Sequence, residues 1–258
     1  MYVKKSSLRW TLALLASALL SGQSMAAETG TDSDWEWGGA VYMWGANMTA
    51  VTAGGMESQV PFYKLLDNLE MALMGAVEAR KDRWSIFTDI IYMDITAKPN
   101  QVKTGPGGNV EFDIQGKVDM ESWIITPQVR YAAYESDKSR VSFVGGLRYL
   151  DLSMGTNLSV NDQPVFDIGG AADNWDFIMG LHAQFELNDR WFMPVYADVG
   201  GGDSKRTYQG MAGIGYRFKR VNVLLTYRYL KYEFDRDEPL LSSLTVKGPK
   251  LGVSFGFR

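Results

Sequence analysis

The segment Asn174–Glu186 reads NWDFIMGLHAQFE and alternates in polarity from one residue to the next. One set of alternate positions is wholly apolar and consists of Trp175, Phe177, Met179, Leu181, Ala183 and Phe185. The positions between them are mostly polar or small, among them Asn174, Asp176, Gly180, His182, Gln184 and Glu186. A period of two predicts a β-strand with one apolar and one polar face, whereas an amphipathic helix would repeat every 3.6 residues.

The same alternation recurs along most of the chain. It is clear at residues 122–131, 221–229 and 251–257, where apolar side chains occupy every second position. The sequence predicts ten strands, with eight or twelve as the alternative counts, near residues 35–46, 70–80, 84–94, 119–134, 140–152, 173–186, 191–200, 207–218, 221–232 and 246–258.

The links between these strands form two classes that alternate along the chain. Four links are short and charged, at residues 81–83, 136–139, 188–190 and 218–220. The other five are mostly long and irregular, near residues 47–69, 95–118, 153–172, 201–206 and 233–245. Short periplasmic turns and longer extracellular loops are typical of up-and-down barrels of the bacterial outer membrane. We therefore predict an all-β, closed antiparallel transmembrane barrel with both termini in the periplasm.

The apolar face of such a barrel points outward, because an unpaired polar group in hydrocarbon costs several kcal/mol. A soluble, lipocalin-like binding barrel would have the opposite orientation, and period two alone does not separate the two. Aromatic residues near the short turns favour the membrane, since aromatic girdles flank the apolar band of outer-membrane barrels. The girdle candidates are Trp35, Trp37, Trp84, Tyr131, Trp191 and Phe218.

The N-terminus has the three parts of a secretory signal peptide. Lys4, Lys5 and Arg9 precede the apolar run 11–20, and small residues at positions 24 and 26 follow it. This pattern predicts a signal peptide at residues 1–26, cleaved from a barrel domain at residues 27–258, and hence export to the cell outer membrane.

Composition excludes several other classes of protein. The chain lacks cysteine, so disulfide-stapled scaffolds are excluded. The formal net charge is −4, or −7 without the three signal-peptide cations, and there is no basic tract, which argues against nucleic acid as a partner.

The segment 66–94, LDNLEMALMGAVEARKDRWSIFTDIIYMD, carries a resemblance to a known family. A leucine-rich stretch leads into a strand that ends in Glu-Ala-Arg, and a basic turn then precedes a strand that begins with tryptophan. The positions that carry the match are Glu78, Arg80, Trp84, Asp89 and Tyr92. In these features the chain resembles a family of small, porin-like outer-membrane β-barrel proteins of proteobacteria. The resemblance implies the fold and the location, and it brings no activity.

The C-terminal strand is similar to the assembly signal of outer-membrane proteins. It is amphipathic and ends in aromatic residues, with Phe255 and Phe257 as the candidates, although Arg258 follows where the aromatic residue is usually last. We therefore expect periplasmic chaperones, the barrel assembly machinery, outer-membrane lipids and lipopolysaccharide as partners. The sequence assigns no oligomeric state.

Charged residues on the inward face are the candidates for a function in the lumen. The alternation places eight residues inside: Glu78, Asp89, Arg130, Arg148, His182, Asp198, Arg217 and Arg228. Asp89 and Arg130 lie on neighbouring strands and are the predicted ion pair. One interpretation is a narrow porin-like channel for small solutes, in which these residues form a charged constriction. The alternative is a non-conducting structural or surface-binding barrel whose lumen is closed by a salt-bridged plug.

We do not expect an enzyme. His182 is the only histidine, and no nucleophile motif accompanies it, so a lipid-acting hydrolase is the weaker interpretation. The same scarcity of ligands predicts no metal and no cofactor. Among the links, residues 60–69 combine helical spacing with apolar character, which leaves open a short helix or an extension of the second strand.

Overall fold

The alternating segments form the wall of a closed antiparallel barrel, which confirms the predicted fold class. The computed structural model describes residues 35–52, 54, 55, 57–67, 69–97, 100–104, 111–160, 163–235 and 241–257. Its elements in chain order are β1 Glu36–Trp44, β2 Asn47–Thr52, β3 Glu57–Val60, α1 Phe62–Asp67, β4 Leu69–Lys81, β5 Trp84–Ala97, β6 Asn100–Thr104, β7 Glu111–Ser136, β8 Ser139–Val160, β9 Gln163–Glu186, β10 Trp191–Gly202, β11 Arg206–Arg217, β12 Asn222–Glu233 and β13 Leu241–Phe257.

Ten of these strands close the barrel, in the order β1-β4-β5-β7-β8-β9-β10-β11-β12-β13. Closure comes from β1 and β13, which pair continuously from Trp37 opposite Phe257 to Trp44 opposite Lys250. Outside this ring, β2 and β3 extend the sheet from β13, and β6 pairs with β7. Closure satisfies the backbone groups that an open sheet edge would leave unpaired in lipid.

Two of the predicted long loops are wrong. Residues 153–160 continue β8 and residues 163–172 belong to β9, the two strands pair as far as Val160 opposite Gln163, and residues 111–118 belong to β7. The polarity alternation fades in these stretches, but strand pairing uses backbone N–H and C=O groups that nearly every residue carries. The strands therefore extend beyond the part of the wall that the sequence pattern marks.

The segment 60–69 contains a short helix, which was one of the two alternatives that the sequence allowed. Helix α1 begins at Phe62, whose backbone N–H donates a 2.9 Å hydrogen bond to Asn47 Oδ1, and β4 follows from Leu69. No helix among the described residues is both long enough and apolar enough to cross a membrane.

The outer face of the wall is apolar and is bordered by aromatic pairs at two levels. Near the short turns, Trp84 contacts Tyr131 with ring centroids 4.8 Å apart. Toward the other end, Tyr92 contacts Trp123 at 4.4 Å. Trp84 and Tyr92 lie on the same outward face of β5, about 26 Å apart along the strand at 3.3 Å per residue. On a strand tilted by about 40° this is a height of about 20 Å, somewhat less than the roughly 25 Å of a full lipid band. We call the border near Trp84 the turn end and the opposite border the loop end.

The two-residue turn between β4 and β5 contains an unusual backbone conformation. Asp82 has φ of 53°, the left-handed region that side chains with a Cβ avoid. We expect Asp82→Val to lower the free energy of unfolding by about 1–2 kcal/mol and Asp82→Gly to leave it unchanged or raise it. Urea titration in detergent micelles measures both. The matched control is Asp137→Val in the next short turn, where φ is not positive; an equal loss there would contradict the backbone explanation.

Candidate functional site

The interior of the barrel has three zones, of which the one at the loop end is apolar. Its side chains come from β1, β2, β5, β7, β8, β12 and β13 and from residues next to them, and all are nearly inaccessible to solvent. We call this cluster the apolar core; it consists of Trp44, Ala46, Met48, Ile91, Met93, Ile95, Met120, Ile124, Leu150, Leu152, Leu230, Tyr232, Phe234, Leu241, Leu244 and Val246. A packed cluster of this kind leaves little room for water between the loop end and the rest of the lumen.

Next to the apolar core lies a layer of buried ion pairs. The first joins β12 to β5 across the barrel: Arg228 Nη1 is 2.7 Å from Asp89 Oδ2. The second carboxylate oxygen of Asp89 accepts a 2.6 Å hydrogen bond from the Tyr42 hydroxyl. Arg228 also donates two hydrogen bonds to Gln209 Oε1, at 3.1 and 2.6 Å, and lies 4.8 Å from the Trp44 ring centroid. Both charges are therefore paired and hydrogen-bonded, as burial requires.

The second pair joins β8 to β10. Arg148 Nη2 is 2.5 Å from Asp198 Oδ2, and both side chains are fully inaccessible to solvent. Arg148 also donates to Thr207 Oγ1 at 2.9 Å, and the Tyr196 hydroxyl donates to Asp198. Gly180 faces Asp198 across the β9–β10 ladder, and a Cβ there would come within 2.9 Å of the Asp198 Cβ. These two ion pairs and their hydrogen-bonding partners form what we call the ion-pair layer.

Between the ion-pair layer and the turn end lies a cavity of about 530 Å³, which we call the cup. Its lining runs from Glu36, Arg80 and Asn222, at the ends of the wall strands near the turns, inward to Tyr42 and Asp89. None of the residues of the apolar core lines it. The cup is thus open at the turn end and closed at its floor by the ion-pair layer.

A hydrogen-bonded chain connects the cup to the ion-pair layer. Arg130 donates through Nε and Nη2 to Gln128 Oε1, at 3.3 and 3.2 Å. Gln128 Nε2 donates in turn to the Tyr196 hydroxyl at 2.8 Å, and Tyr196 contacts Asp198. The Arg130 guanidinium also lies 3.8 Å from the centroid of the Phe87 ring.

The structure places all eight predicted lumen residues inside the wall, but it joins only four of them to one another in ion pairs. Asp89, Arg148, Asp198 and Arg228 form the ion-pair layer. Glu78, Arg130 and His182 line the cup. Arg217 also lines the cup, and it binds Glu186 through both of its terminal nitrogens, one of them at 2.7 Å.

The predicted Asp89–Arg130 ion pair is wrong, because strand register separates the two side chains. Along the β5–β7 ladder Asp89 lies opposite Thr126, whereas Arg130 lies opposite Ser85. The two are four residues apart along the strand axis, or roughly 13 Å at 3.3 Å per residue. Asp89 therefore pairs with Arg228 from the other side of the barrel.

Several contributors to the interior were not identified from the sequence. Tyr42, Tyr196 and Gln209 complete the ion-pair layer, and Lys250 lines the cup with its Nζ 3.6 Å from the centroid of the Tyr42 ring. The alternation contains the signal for Lys250, since its neighbour Leu251 faces outward and is 57% exposed. Neutral hydrogen-bonding residues carry no comparable signal, because they are equally common on any polar face.

The six girdle candidates all lie near the turn end and are exposed on the outer surface: Trp35, Trp37, Trp84, Tyr131, Trp191 and Phe218. Phe255 is half-buried, and a Cβ at Gly39 would come 3.0 Å from its ring. Phe257 pairs with Trp37 in the closing ladder, but its side chain lies outside the described residues. The signal peptide at residues 1–26 also lies outside them.

Two residue types that are common in catalytic sites face each other inside the barrel. Ser142 faces His182 across the β8–β9 ladder, yet no hydrogen bond joins these two described residues. No cluster of three metal-ligating side chains occurs among the residues that the structure describes. What the site can do chemically is to bind ions and polar groups within the cup.

Comparison with known proteins identifies the fold. No protein-family model and no curated protein matches the chain. Among solved structures, the outer-membrane protease OmpT of Escherichia coli is 8% identical, with 89% of this chain and 99% of that one covered at a TM-score of 0.50. The translocator domain of the autotransporter NalP of Neisseria meningitidis is 13% identical, with 95% and 93% covered and a TM-score of 0.45. The attachment invasion locus protein Ail of Yersinia pestis is 10% identical, with 86% and 98% covered and a TM-score of 0.35. At 8% identity the likeness to OmpT concerns the fold alone, which is that of an outer-membrane β-barrel.

Proposed function

We propose that this protein is a non-conducting outer-membrane barrel, and that its lumen is sealed rather than porin-like. The observation that carries the proposal is the apolar core, whose side chains pack together inside the barrel on the loop-end side of the ion-pair layer. Hydrophobic constrictions block ions by excluding water even where they are not sterically closed. The salt-bridged plug is therefore favoured over the charged constriction.

The charges of the ion-pair layer support the same conclusion. A charged constriction acts on ions through side chains that face the water of the pore, whereas Arg148 and Asp198 are inaccessible and bound to each other. Asp89 and Arg228 are likewise nearly inaccessible, and each has further hydrogen-bond partners. These residues stabilise the barrel wall from its interior.

The extended strands suggest that the function of the barrel is at the cell surface. Strands β7, β8 and β9 have 26, 22 and 24 residues, at least twice the roughly 9–11 that cross a bilayer. The outward-facing Trp123 and Trp175 stand at the loop-end border, so the remainder of these strands projects beyond the lipid. We propose that the sealed barrel anchors this projection, which binds molecules outside the cell.

The remaining functional assignments follow from this proposal. Outer-membrane lipids and lipopolysaccharide contact the apolar outer face and its aromatic borders. We further propose that the protein is not an enzyme, since no hydrogen bond joins His182, its one histidine, to Ser142, the described serine that faces it across the β8–β9 ladder. Residues 27–258 would then form the mature outer-membrane protein.

Planar-bilayer recording tests the seal. We expect the purified, folded protein to produce no discrete conductance steps, because ions would have to cross the apolar core. SDS resistance before boiling and digestion of exposed loops by added protease establish that the sample is folded and inserted. Reproducible steps whose ion selectivity shifts toward cations in Arg228→Glu would contradict the proposal and restore the porin-like interpretation.

A further inference from the structure

We propose that the cup is a binding site for a small organic anion, a carboxylate or a phosphate monoester, that enters from the periplasm. The cup is not required for the seal, so this inference goes beyond the proposed function. Its volume of about 530 Å³ is within the usual range for small-molecule sites, roughly 300–1,000 Å³.

The charges that line the cup are unbalanced. Five cations line it, Arg80, Arg130, Arg217, Arg228 and Lys250, against three carboxylates, Glu36, Glu78 and Asp89. Asp89 is already bound to Arg228, with which it forms the ion pair of the floor. Arg80 pairs with Glu78 and Arg217 with Glu186, which leaves Arg130 and Lys250 as the cations of the lining without a bound carboxylate.

Those two cations, Arg130 and Lys250, have no carboxylate bound to them among the described residues. Arg130 is only 6% exposed, and its described contacts are the neutral Gln128 oxygen and the Phe87 ring. Lys250 lies against the Tyr42 ring. Of the other two carboxylates in the lining, Glu78 forms its ion pair with Arg80, at 3.4 Å, and Glu36 lies at the turn end. A buried cation without a counter-ion is costly, and a bound anion would offset that cost.

The walls of the cup favour an anion that carries an apolar body. Phe87, Phe192 and Met211 provide apolar surface, while Thr126 and Asn222 add neutral polar groups. An apolar lining with a few polar groups that fix orientation is the usual composition of a small-molecule site. Guanidinium and ammonium groups bind carboxylate and phosphate oxygens through charge-assisted hydrogen bonds.

The probe for this site is phenyl phosphate, with benzyl alcohol as its neutral counterpart. Equilibrium dialysis of the full-length folded protein, against a detergent blank, should show saturable binding of one phenyl phosphate and no saturable binding of benzyl alcohol. Arg130→Gln and Lys250→Gln should each weaken binding by about tenfold, as loss of a charge-assisted hydrogen bond implies. The matched control is Lys247→Gln, because Lys247 is on the same strand as Lys250 but on the exposed outer face.

Two results would overturn the inference. One is the absence of saturable binding up to about 10 mM, a concentration that detects even very weak sites. The other is an equal loss of phenyl phosphate affinity in the Lys250→Gln and Lys247→Gln variants. That result would mean that the anion is attracted to cationic surfaces in general. If Arg130→Gln fails to fold, the comparison of the two lysine variants decides by itself. Bilayer conductance reports separately on the seal, so failure of the site and failure of the seal are distinguishable.

Discussion

Replacing Asp198 by alanine is expected to lower the free energy of unfolding by about 3–5 kcal/mol, because it leaves the Arg148 charge buried without its counter-ion. Both side chains of this pair are inaccessible to solvent, so water cannot take the place of the lost carboxylate. The Tyr196 hydroxyl loses its acceptor in the same variant. Urea titration followed by tryptophan fluorescence measures the loss.

The matched control is the exposed ion pair between Arg140 and Glu135, whose atoms are 2.6 Å apart. Glu135→Ala should cost at most about 1 kcal/mol, because exposed pairs contribute little. The double variant Arg148→Met with Asp198→Ala should recover much of the loss, since it removes both charges. If Asp198→Ala cost no more than Glu135→Ala, water would have to reach Arg148, and the lumen could not be closed at this level.

Truncation of the apolar core should have the second large effect. Leu150 is fully buried inside the barrel, and we expect Leu150→Ala to lower the free energy of unfolding by about 2–5 kcal/mol. The loss combines the transfer of the removed methylene and methyl groups with the cost of the cavity they leave. The same urea titration measures it.

A leucine-to-alanine variant on the outer face distinguishes the transfer contribution from the cavity contribution. Leu181 points away from the lumen and is 48% exposed, so Leu181→Ala leaves no enclosed cavity and should cost the transfer contribution alone. Equal losses for the two variants would mean that Leu150 is not enclosed. The apolar core would then be too loosely packed to exclude water.

The sequence determines the wall of this barrel through short-range chemistry. Alternation at Trp175–Phe185 orients each side chain in or out, because successive residues of a strand point to opposite faces. The short charged turns at residues 81–83 and 136–139 then set neighbouring strands antiparallel. Together these local signals predict the fold class, ten strands and the outward aromatic residues near the turns.

Strand lengths and ion-pair partners are decided only in three dimensions. Backbone pairing carries β8 and β9 through residues where polarity no longer alternates, so the pattern underestimates both strands. The partner of Asp89 depends on register and on the closure of β1 onto β13, which brings β12 to the opposite side of the lumen. Neither the strand lengths nor the ion-pair partners can be derived from the sequences of one strand and its neighbour.

The apolar core is the clearest case in which the sequence pattern does not determine the structure. In β5, Ile90 and Tyr92 face outward while Ile91 and Met93 face the lumen, so the segment is apolar on both faces and hides which set is inside. An alternation rule that assigns polar residues to the interior finds the charges of the cup and overlooks the apolar core. Whether a lumen is open depends on how side chains from opposite strands pack across it, and only the closed barrel brings those side chains into contact.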